Sequence, residues 1–577
     1  MRGNHFSSRS LLGRGSRVNV FGAIQLVPRP GRRFLCPEIY LHGSLGAGKI
    51  PPIRYEGLMP VFFRPLLPAL SCLQLVTAAP QPNILFAIAD DWGFGDAGVY
   101  GSKWVKTPAF DRLAREGILF QRAYTPNAKC APSRAIILTG RYSWQLEEAA
   151  NHQNVFPPKF GSFMEVLAGN GYITGYTGKG WGPGIANDER GKRRAITGKA
   201  WSSRKATPPA RAISNNDYAG NFADFLADTP DGKPWCFWYG TSEPHRSYED
   251  GVGLRMGKRL EDIDHVPAFW PDNSRTRGDM LDYSIEVEHY DTHLGRIISH
   301  LEKVGQLENT LIVATSDHGM PFPRCKGQAY DYSNHIPLAI RWPKGIKGKN
   351  RSVEDFVNFT DLAPTFLEAA GIRDPAPIMQ PMSGRSLFDI FQSPRSGQVV
   401  PTRDHVVLGK ERHDVGRPNN GGYPIRGIRK GDYLYIYNFE ANRWPAGNPE
   451  TGYLNCDASP IKTLILNQRR QGNRYFWDLN FGKRPTEEFF NVRSSRDCVE
   501  NLAGSNEHAE LRKTLKAELF EKLKEQGDPR MFGKGDVFDK YGFASERWNN
   551  FFEKYQRGEK ISTGWVLPSD YEKEALE

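Results

Sequence analysis

The sequence predicts an α/β protein with a large, mostly parallel sheet that is sandwiched between helices. Two observations lead to this prediction. Short apolar runs typical of buried strands recur over the first two thirds of the chain, and segments with helical periodicity lie between them. From about residue 405 the pattern changes to alternating runs and tight turns, which predicts a smaller C-terminal α+β domain with an antiparallel sheet.

The predicted strands of the large sheet are short and apolar on both faces. The first, "NILFAIADD" at 83–91, ends in two acids, and similar runs occupy 171–178, 234–242, 310–319 and 335–343. Runs of this kind are typical of strands that are covered on both faces in a parallel sheet. Ligands of such sheets bind at the carboxyl ends of the strands.

Helix signals lie between these strands. In residues 107–120, Thr107 is an N-cap residue, Pro108 suits the first helical position and Gly117 ends the helical pattern. Further helices are expected around 161–170, 218–228, 279–305 and 360–370. Alternation of strands and helices is the reason for expecting helices on both faces of the sheet.

The C-terminal part is expected to hold a hairpin, a strand and a helix. Residues 425–440 alternate about a turn at 430–432, "RYFWDLNFG" at 474–482 resembles a strand, and 506–526 is a charged amphipathic helix. We therefore expect the large α/β domain at 80–400, the smaller domain at 401–530, and a tail that packs on the body at 531–577.

The N-terminal region predicts export. Residues 59–79 begin with Met59, carry one arginine and an apolar stretch, and end in small residues, which is typical of a secretory signal peptide. The stretch is short and broken by prolines, so no stable membrane insertion is expected. Residues 1–58 are then a disordered or misannotated extension, and the mature protein belongs in a periplasmic, extracellular or lysosome-like compartment.

Charge and cysteine content exclude two classes of function. Of the net charge of +11, residues 1–58 contribute +7, from nine Arg and Lys against two Glu. The rest of the chain is nearly balanced, so no nucleic-acid partner is expected. The seven cysteines form no Cys-x-x-Cys pair, which argues against a zinc ribbon or a thioredoxin motif.

Acidic and basic residues follow several predicted strands. Asp90 and Asp91 follow the first strand, and Asp317 and His318 follow another. Adjacent carboxylates repel one another unless a cation lies between them, and oxygen donors suit Ca²⁺ or Mg²⁺. A solvated strand end is the alternative for such a pair of acids.

The cationic candidates are Arg134, Lys179, Lys326 and His245. A metal ion, lysines and a histidine at neighbouring strand ends form a pocket for a tetrahedral oxyanion, which indicates phosphoryl or sulfuryl transfer.

Residues 130–134, Cys-Ala-Pro-Ser-Arg, followed by "LTGR" at 138–141, resemble the Cys-x-Pro-Ser-Arg motif of the sulfatase family. The resemblance runs from about 82 to about 525 and includes "NILFAIADDWGFGD", "YTGKGW", "TSDHG" and "DLAPTFLEAAGI". Within the family, "SDHGMPFPR" and "EPHR" are most similar to the N-sulfoglucosamine sulfohydrolase (sulfamidase) branch.

This resemblance implies an alkaline-phosphatase-like fold and the hydrolysis of a sulfuric ester or sulfamate on a sulfated sugar or polysaccharide fragment. It implies that a formylglycine-generating maturation enzyme converts Cys130 to Cα-formylglycine, whose hydrate is the nucleophile. One Ca²⁺ per subunit is expected, with the ligands Asp90, Asp91, Cys130, Asp317 and His318. Lys179 and Lys326 would neutralise the sulfate, His245 would serve the leaving group, and Arg134 would hold the formylglycine and its neighbouring carboxylates.

The sequence departs from the family at Trp181, where a Gly-Lys-x-His motif usually has its histidine. Either His152 or His413 then supplies the missing base, or turnover is slower. The loop at 409–429 adds Arg412 and Arg426 as candidate sugar contacts, so the expected substrate residues are His152, Trp181, Arg412, His413 and Arg426.

Two other functions stay open at this point. A phosphomonoester or phosphonate hydrolase of the same fold shares the metal site and, in some members, the formylglycine. A non-catalytic glycan-binding member would keep the fold without turnover.

Overall fold

The computed structural model of the chain describes residues 81–574 and 576. The predicted extension 1–58 and signal peptide 59–79 lie outside the described residues. Within the described part of the chain, no helix has the length and hydropathy that crossing a membrane would require.

The strands follow one another along the described chain as β1 Asn83–Ala89, β2 Ile118–Tyr124, β3 Asn154–Val155, β4 Ile173–Gly178, β5 Gly184–Ile185, β6 Lys199–Ala200, β7 Trp235–Gly240, β8 Thr310–Ser316, β9 His335–Arg341, β10 Arg351–Asn358, β11 His405–Lys410, β12 Ile425–Lys430, β13 Tyr433–Asn438 and β14 Glu487–Asn491.

The α-helices are α1 Pro108–Glu116, α2 Cys130–Thr139, α3 Phe163–Gly169, α4 Tyr218–Asp228, α5 Val252–Arg255, α6 Ser274–Lys303, α7 Asp331–Asn334, α8 Leu362–Ala369, α9 Phe388–Phe391, α10 Pro460–Arg470, α11 Tyr475–Asn480, α12 Ala509–Glu525, α13 Val537–Lys540 and α14 Phe551–Gln556.

The large sheet has eight strands in the order β10-β2-β9-β8-β1-β7-β4-β6. Its pairs are parallel except at β9, which runs antiparallel to both β2 and β8. The central strands β8, β1, β7 and β4 are parallel to one another, so their carboxyl ends meet at one edge. The predicted mostly parallel sheet is confirmed.

Helices cover both faces of this sheet because its strands are apolar on both sides. Alternate residues of β1 point in opposite directions. Leu85 and Ala87 pack in one core with side chains of α1, α4 and α6, whereas Ile84 and Phe86 pack in another core with side chains of α2, α3 and α8. The predicted sandwich is therefore confirmed.

The second sheet is antiparallel, with the order β11-β12-β13-β14. Its hairpin turns at Gly431, whose φ of 53° suits a residue without a Cβ. One face packs on α12 through Leu515, Leu519 and Leu523, which confirms the charged amphipathic helix. The predicted C-terminal antiparallel sheet is confirmed, whereas the boundaries at 400 and 530 stay predictions.

The expected strand at 474–482 was wrong, because the structure has helix α11 there. The buried side chains of this segment are those of Trp477, Asn480 and Phe481, and spacings of three and four place them on one face of a helical turn. The strand that completes the second sheet is β14, a few residues further along. Strand β2, which begins directly after Gly117, was missed because its apolar residues continue those of helix α1.

Candidate active site

The carboxyl ends of four neighbouring strands bring the predicted polar residues together. In sheet order, β8 is followed by Asp317 and His318, β1 by Asp90 and Asp91, β7 by His245, and β4 by Lys179. Helix α2 begins at Cys130 beside these strand ends, with the thiol Sγ 3.4 Å from Nε2 of His318. The positive end of α2 therefore faces the cluster and favours anions there.

Ser133 and Arg134 fasten the first turn of α2 to the strand ends. The Ser133 hydroxyl donates to the carbonyl of Asp317 at 2.6 Å, and Nε of Arg134 donates to Asp317 Oδ2 at 2.8 Å. The fully buried guanidinium also donates to Asp90 and to the carbonyls of Lys179 and Gly180. Arg134 thus fixes residue 130 relative to β1, β4 and β8.

Two lysines pair with the adjacent aspartates. Nζ of Lys179 lies 2.5 Å from Asp90 Oδ2, and Nζ of Lys326 lies 2.7 Å from Asp91 Oδ2. Lys326 also donates to Asp457 at 2.9 Å. Asp457 was not predicted, because it lies in a loop that carries no strand or helix signal.

The charges in this cluster shift several pKa values. Burial and the neighbouring Cys130 raise the pKa of Asp90 to about 8, because Lys179 offsets only part of their effect. Burial also acts to raise the pKa of Asp91, but Lys326, His318 and His245 outweigh it and hold that pKa well below its usual range. The Cys130 thiol behaves in the same way: Lys179, Lys326 and His318 overcome burial and place its pKa well below the ordinary value.

The donor set fits a divalent cation. Donor atoms of Asp90, Cys130, Asp317 and His318 all lie within 4.8 Å of one another. Oδ1 of the adjacent Asp91 lies 2.9 Å from Nε2 of His318 without making a well-oriented hydrogen bond. A carboxylate oxygen and an imidazole nitrogen that face one another, beside further buried carboxylates, are donor types from which proteins build divalent cation sites.

A cavity of about 330 Å³ opens onto this cluster. It contains the predicted Cys130, His152, Lys179, His245 and Lys326. Its remaining lining residues were not predicted as site residues: Lys129, Gln153, Gly182, Pro183, Asp414, Asp457 and Trp565.

His152 presents a free ring nitrogen within this cavity. Its Nδ1 lies 3.0 Å from Asp414 Oδ1, whereas its buried Nε2 has no hydrogen-bond partner among the described residues. The second oxygen of Asp414 pairs with Lys129 at 2.9 Å. Burial raises the pKa of Asp414, but Lys129 and His152 outweigh burial and keep it low. The ionised Asp414 accepts a hydrogen bond from Nδ1–H of His152, and in the neutral imidazole this tautomer has its lone pair on Nε2.

Trp181, which replaces the expected histidine, has a different position. Its indole Nε1 donates to the carbonyl of Ala131 at 3.1 Å, and its ring packs edge-on against Phe156. It does not line the cavity. The expectation that its side chain lies in the pocket is therefore not met, and its contact supports the first turn of α2 instead.

The structure does not bring Arg412, His413 or Arg426 into the cavity. Arg412 donates to the carbonyls of Tyr541 and Gly542, and Nε2 of His413 lies 2.9 Å from Asn127 Oδ1. The fully buried Arg426 pairs with Asp528 and Glu411, each at 2.7 Å. Their expected role as sugar contacts does not fit these positions, because each side chain is directed into protein contacts.

Comparison with known proteins decides the family. The family model described as Sulfatase matches residues 82–372. The chain belongs to the sulfatase family. The sulfatase is 26% identical over 461 residues to an ulvan-active sulfatase of Formosa agariphila. This match covers 78% of this chain and 81% of that protein. It is also 26% identical over 491 residues to human N-sulphoglucosamine sulphohydrolase, and this match covers 79% of this chain and 92% of that protein.

A solved structure in complex with its substrate, D-glucosamine-2-N,6-O-disulfate, has the same fold as this sulfatase. The TM-score is 0.54 at 21% identity, and the match covers 78% of this chain and 98% of the other. The predicted fold class, the family and the prediction of a sulfatase enzyme are therefore confirmed.

Proposed function

We propose that this sulfatase removes sulfate from a sulfated sugar, as an ester or a sulfamate, with Ca²⁺ and a formylglycine made from Cys130. The observation that carries the proposal is the position of Cys130. It begins helix α2 within a buried cluster of carboxylates and lysines that opens onto a small cavity. Relatives named for ulvan and for N-sulphoglucosamine support a sugar as the substrate.

The buried acids would hold the metal. Asp90, Asp91 and Asp317 supply hard oxygen donors, and His318 and residue 130 complete the set. Bound there, Ca²⁺ would act as a Lewis acid that neutralises negative charge on the reacting group. The raised pKa of Asp90 supports this assignment, because another positive charge beside it would keep every carboxylate ionised at neutral pH.

The chain orients residue 130 before any substrate binds. Formylglycine supplies a geminal diol, in which one hydroxyl is the nucleophile and the other allows sulfate to be expelled. Ser133 and Arg134 fix the first turn of α2, and the indole of Trp181 holds the carbonyl of Ala131. These contacts place the side chain of residue 130 toward the carboxylates and the lysines.

Lys179 and Lys326 would bind the sulfate oxygens. An ammonium group has three donors. Lys179 uses one of these on Asp90 and Lys326 uses two on Asp91 and Asp457, so each keeps at least one donor. Both lysines line the cavity, and their charge would stabilise the transition state as negative charge moves to the oxygens.

His245 would serve the leaving group. Its side chain is about one third exposed and lines the cavity, with Nε2 4.0 Å from Asp91 Oδ2. Its Nδ1 lies 2.6 Å from the carbonyl of Arg246, which holds a proton on Nδ1 and orients the ring. Nε2 is then the atom that passes a proton to the departing sugar oxygen or nitrogen.

His152, with Asp414 behind it, would replace the histidine that is missing at Trp181. An indole nitrogen has no lone pair to accept a proton, so Trp181 cannot act as the base. The unpartnered Nε2 of His152 lies in the same cavity as residue 130, and Asp414 orients the ring. A carboxylate that orients an imidazole is the arrangement of general bases in hydrolases.

A substrate comparison tests the proposed function. Purified enzyme is assayed with N-sulfoglucosamine, glucosamine 6-sulfate, an aryl sulfate and an aryl phosphate diester, and kcat/KM is compared. We expect a sugar sulfate to be the best of the four. A phosphate diester that is better by orders of magnitude would instead identify a phosphonate or phosphate hydrolase of the same fold.

We also propose that the protein is exported after cleavage of residues 59–79, on the strength of the signal-peptide pattern. N-terminal sequencing of the protein purified from its native host tests this. The mature chain is expected to begin near Pro80, and a chain that retains residues 59–79 would contradict export by this signal.

A further inference from the structure

We propose, on the basis of the sulfatase activity proposed above, that Gln153 and Trp565 bind the sugar ring of the substrate. The C-terminal segment 531–574 then helps to set which sugar is accepted. Neither residue belongs to the sulfate-binding cluster, yet both line the cavity that contains Cys130. Both are uncharged, so neither balances the charge of a sulfate as the two lysines do.

Gln153 has a free carboxamide. Only 9% of the residue is exposed. Its carboxamide has no hydrogen-bond partner among the described residues and is open to the cavity rather than fully enclosed. Its φ of 49° is unusual for a residue with a side chain. A carboxamide that faces a cavity without a protein partner, on a backbone in an uncommon conformation, is free to bond to a ligand there.

The C-terminal segment holds this conformation in place. The carbonyl of Gln153 accepts a hydrogen bond from the backbone N–H of Ala544 at 2.8 Å. The neighbouring His152 is fixed on its other side by Asp414. The backbone that carries the carboxamide is therefore held by the hydrogen bond from Ala544 and by the contact of the neighbouring His152 with Asp414.

Trp565 provides a fixed aromatic surface. Its indole Nε1 donates to the carbonyl of Leu454 at 2.9 Å, and its own carbonyl accepts from Ala458 at 2.8 Å. Trp548 packs edge-on against it, with ring centroids 5.0 Å apart. The ring is half-buried, and a ring that is held before binding loses little entropy when a ligand arrives.

A pyranose suits this pair of groups. Its ring has an apolar C–H face, which packs on an aromatic side chain, and hydroxyl or acylamino groups, which bond to a carboxamide. The cavity of about 330 Å³ is at the small end of ligand sites. One sugar unit fits such a volume better than an internal segment of a polymer, so we infer action on a terminal sugar.

The test combines kinetics with binding. Trp565→Ala, Trp565→Phe and Gln153→Ala are each assayed with N-sulfoglucosamine and glucosamine 6-sulfate, and inorganic sulfate is measured as a competitive inhibitor. We expect Trp565→Ala and Gln153→Ala to lower kcat/KM at least about tenfold, because each removes a contact to the sugar. Trp565→Phe keeps an aromatic face and should stay within about threefold of the wild type. The inhibition constant of sulfate should not change.

Trp201→Ala is the matched control. Trp201 is also half-buried and packs against Phe225, but it does not line the cavity. Its loss should leave kcat/KM unchanged even where it lowers Tm. The inference would be overturned if Trp565→Ala and Gln153→Ala kept kcat/KM within twofold of the wild type. It would also be overturned if they weakened inhibition by sulfate to the same extent as they lowered kcat/KM.

A binding experiment separates this inference from the proposed function. Saturation-transfer NMR with unsulfated glucosamine reports contact between the sugar ring and the protein without any turnover. Ring signals that appear with the wild type and vanish with Trp565→Ala support the sugar site even where no sulfate is hydrolysed. Equal signals from both proteins contradict the site even where hydrolysis is rapid.

Discussion

Replacing His152 by glutamine should slow the release of sulfate much more than the first chemical step. Nε2 of His152 is the unpartnered nitrogen in the cavity, and a glutamine keeps the polar volume but cannot take a proton at that atom. Loss of a general base typically costs about 10²- to 10⁴-fold in rate, or about 2.7 to 5.4 kcal/mol of transition-state stabilisation. Because the cavity also admits water, which can replace the base in part, we expect a value near 10².

The assay follows both products with a chromogenic aryl sulfate. In the variant, the first turnover should release the phenol at close to the wild-type rate, and sulfate release should then limit the steady state. His413→Gln is the matched control, because His413 is also buried but does not line the cavity. It should keep kcat within about threefold. A steady-state rate for His152→Gln within threefold of the wild type, or an equal loss in both variants, would refute the assignment of the base.

Three further predictions concern the rest of the site and the N-terminus. Lys326→Ala should lower kcat/KM by about 10², since a donor to the sulfate is lost. It should also lower the free energy of unfolding by about 3 to 5 kcal/mol, because Asp91 and Asp457 are left buried without their cation. An unchanged rate would exclude Lys326 from the sulfate site. Chelation of divalent ions should abolish turnover and lower Tm, because a ligand that binds only the folded state stabilises it, and Ca²⁺ should restore both. A chelated enzyme with full activity and unchanged Tm would contradict the metal site. Deletion of residues 1–58 should leave kcat/KM and Tm unchanged, and a clear loss of either would show that the segment belongs to the working protein.

The strand-end residues could be predicted because their signals are local. An apolar run that stops at Asp90 and Asp91 marks both the strand and its end, and the same holds at Asp317. The rule that ligands bind at the carboxyl ends of parallel strands then places these residues in one site. Cys130 and Arg134 are identified by a motif whose residues lie close together in sequence.

The rest of the cavity could not be predicted, because it depends on tertiary contacts. Asp414, Asp457 and Trp565 lie in loops or in the C-terminal segment, and no periodicity marks them. Gln153 resembles any other loop residue until its unpartnered amide and its positive φ are seen. Contacts between residues hundreds of positions apart, such as that between Gln153 and Ala544, have no counterpart in the sequence pattern.

The arginines illustrate the opposite error. Arg426 resembles a free cation in a glycine-rich loop, which is why it was expected to bind an acidic or hydroxylated sugar. Its partners, Asp528 and Glu411, bury it in a charge network of the C-terminal region. Charge alone does not distinguish a binding arginine from a buried structural one, because the distinction depends on where its counter-ions lie.

The most direct test of the central claim is mass spectrometry of the tryptic peptide 130–134 from enzyme that hydrolyses a sugar sulfate. We predict that residue 130 carries an aldehyde, which reacts with a hydrazide probe and resists alkylation by iodoacetamide. A peptide that carries an intact, alkylatable thiol in fully active enzyme would contradict the formylglycine mechanism. The same thiol in a protein without activity, from a host that matures other sulfatases, would instead favour a glycan-binding role.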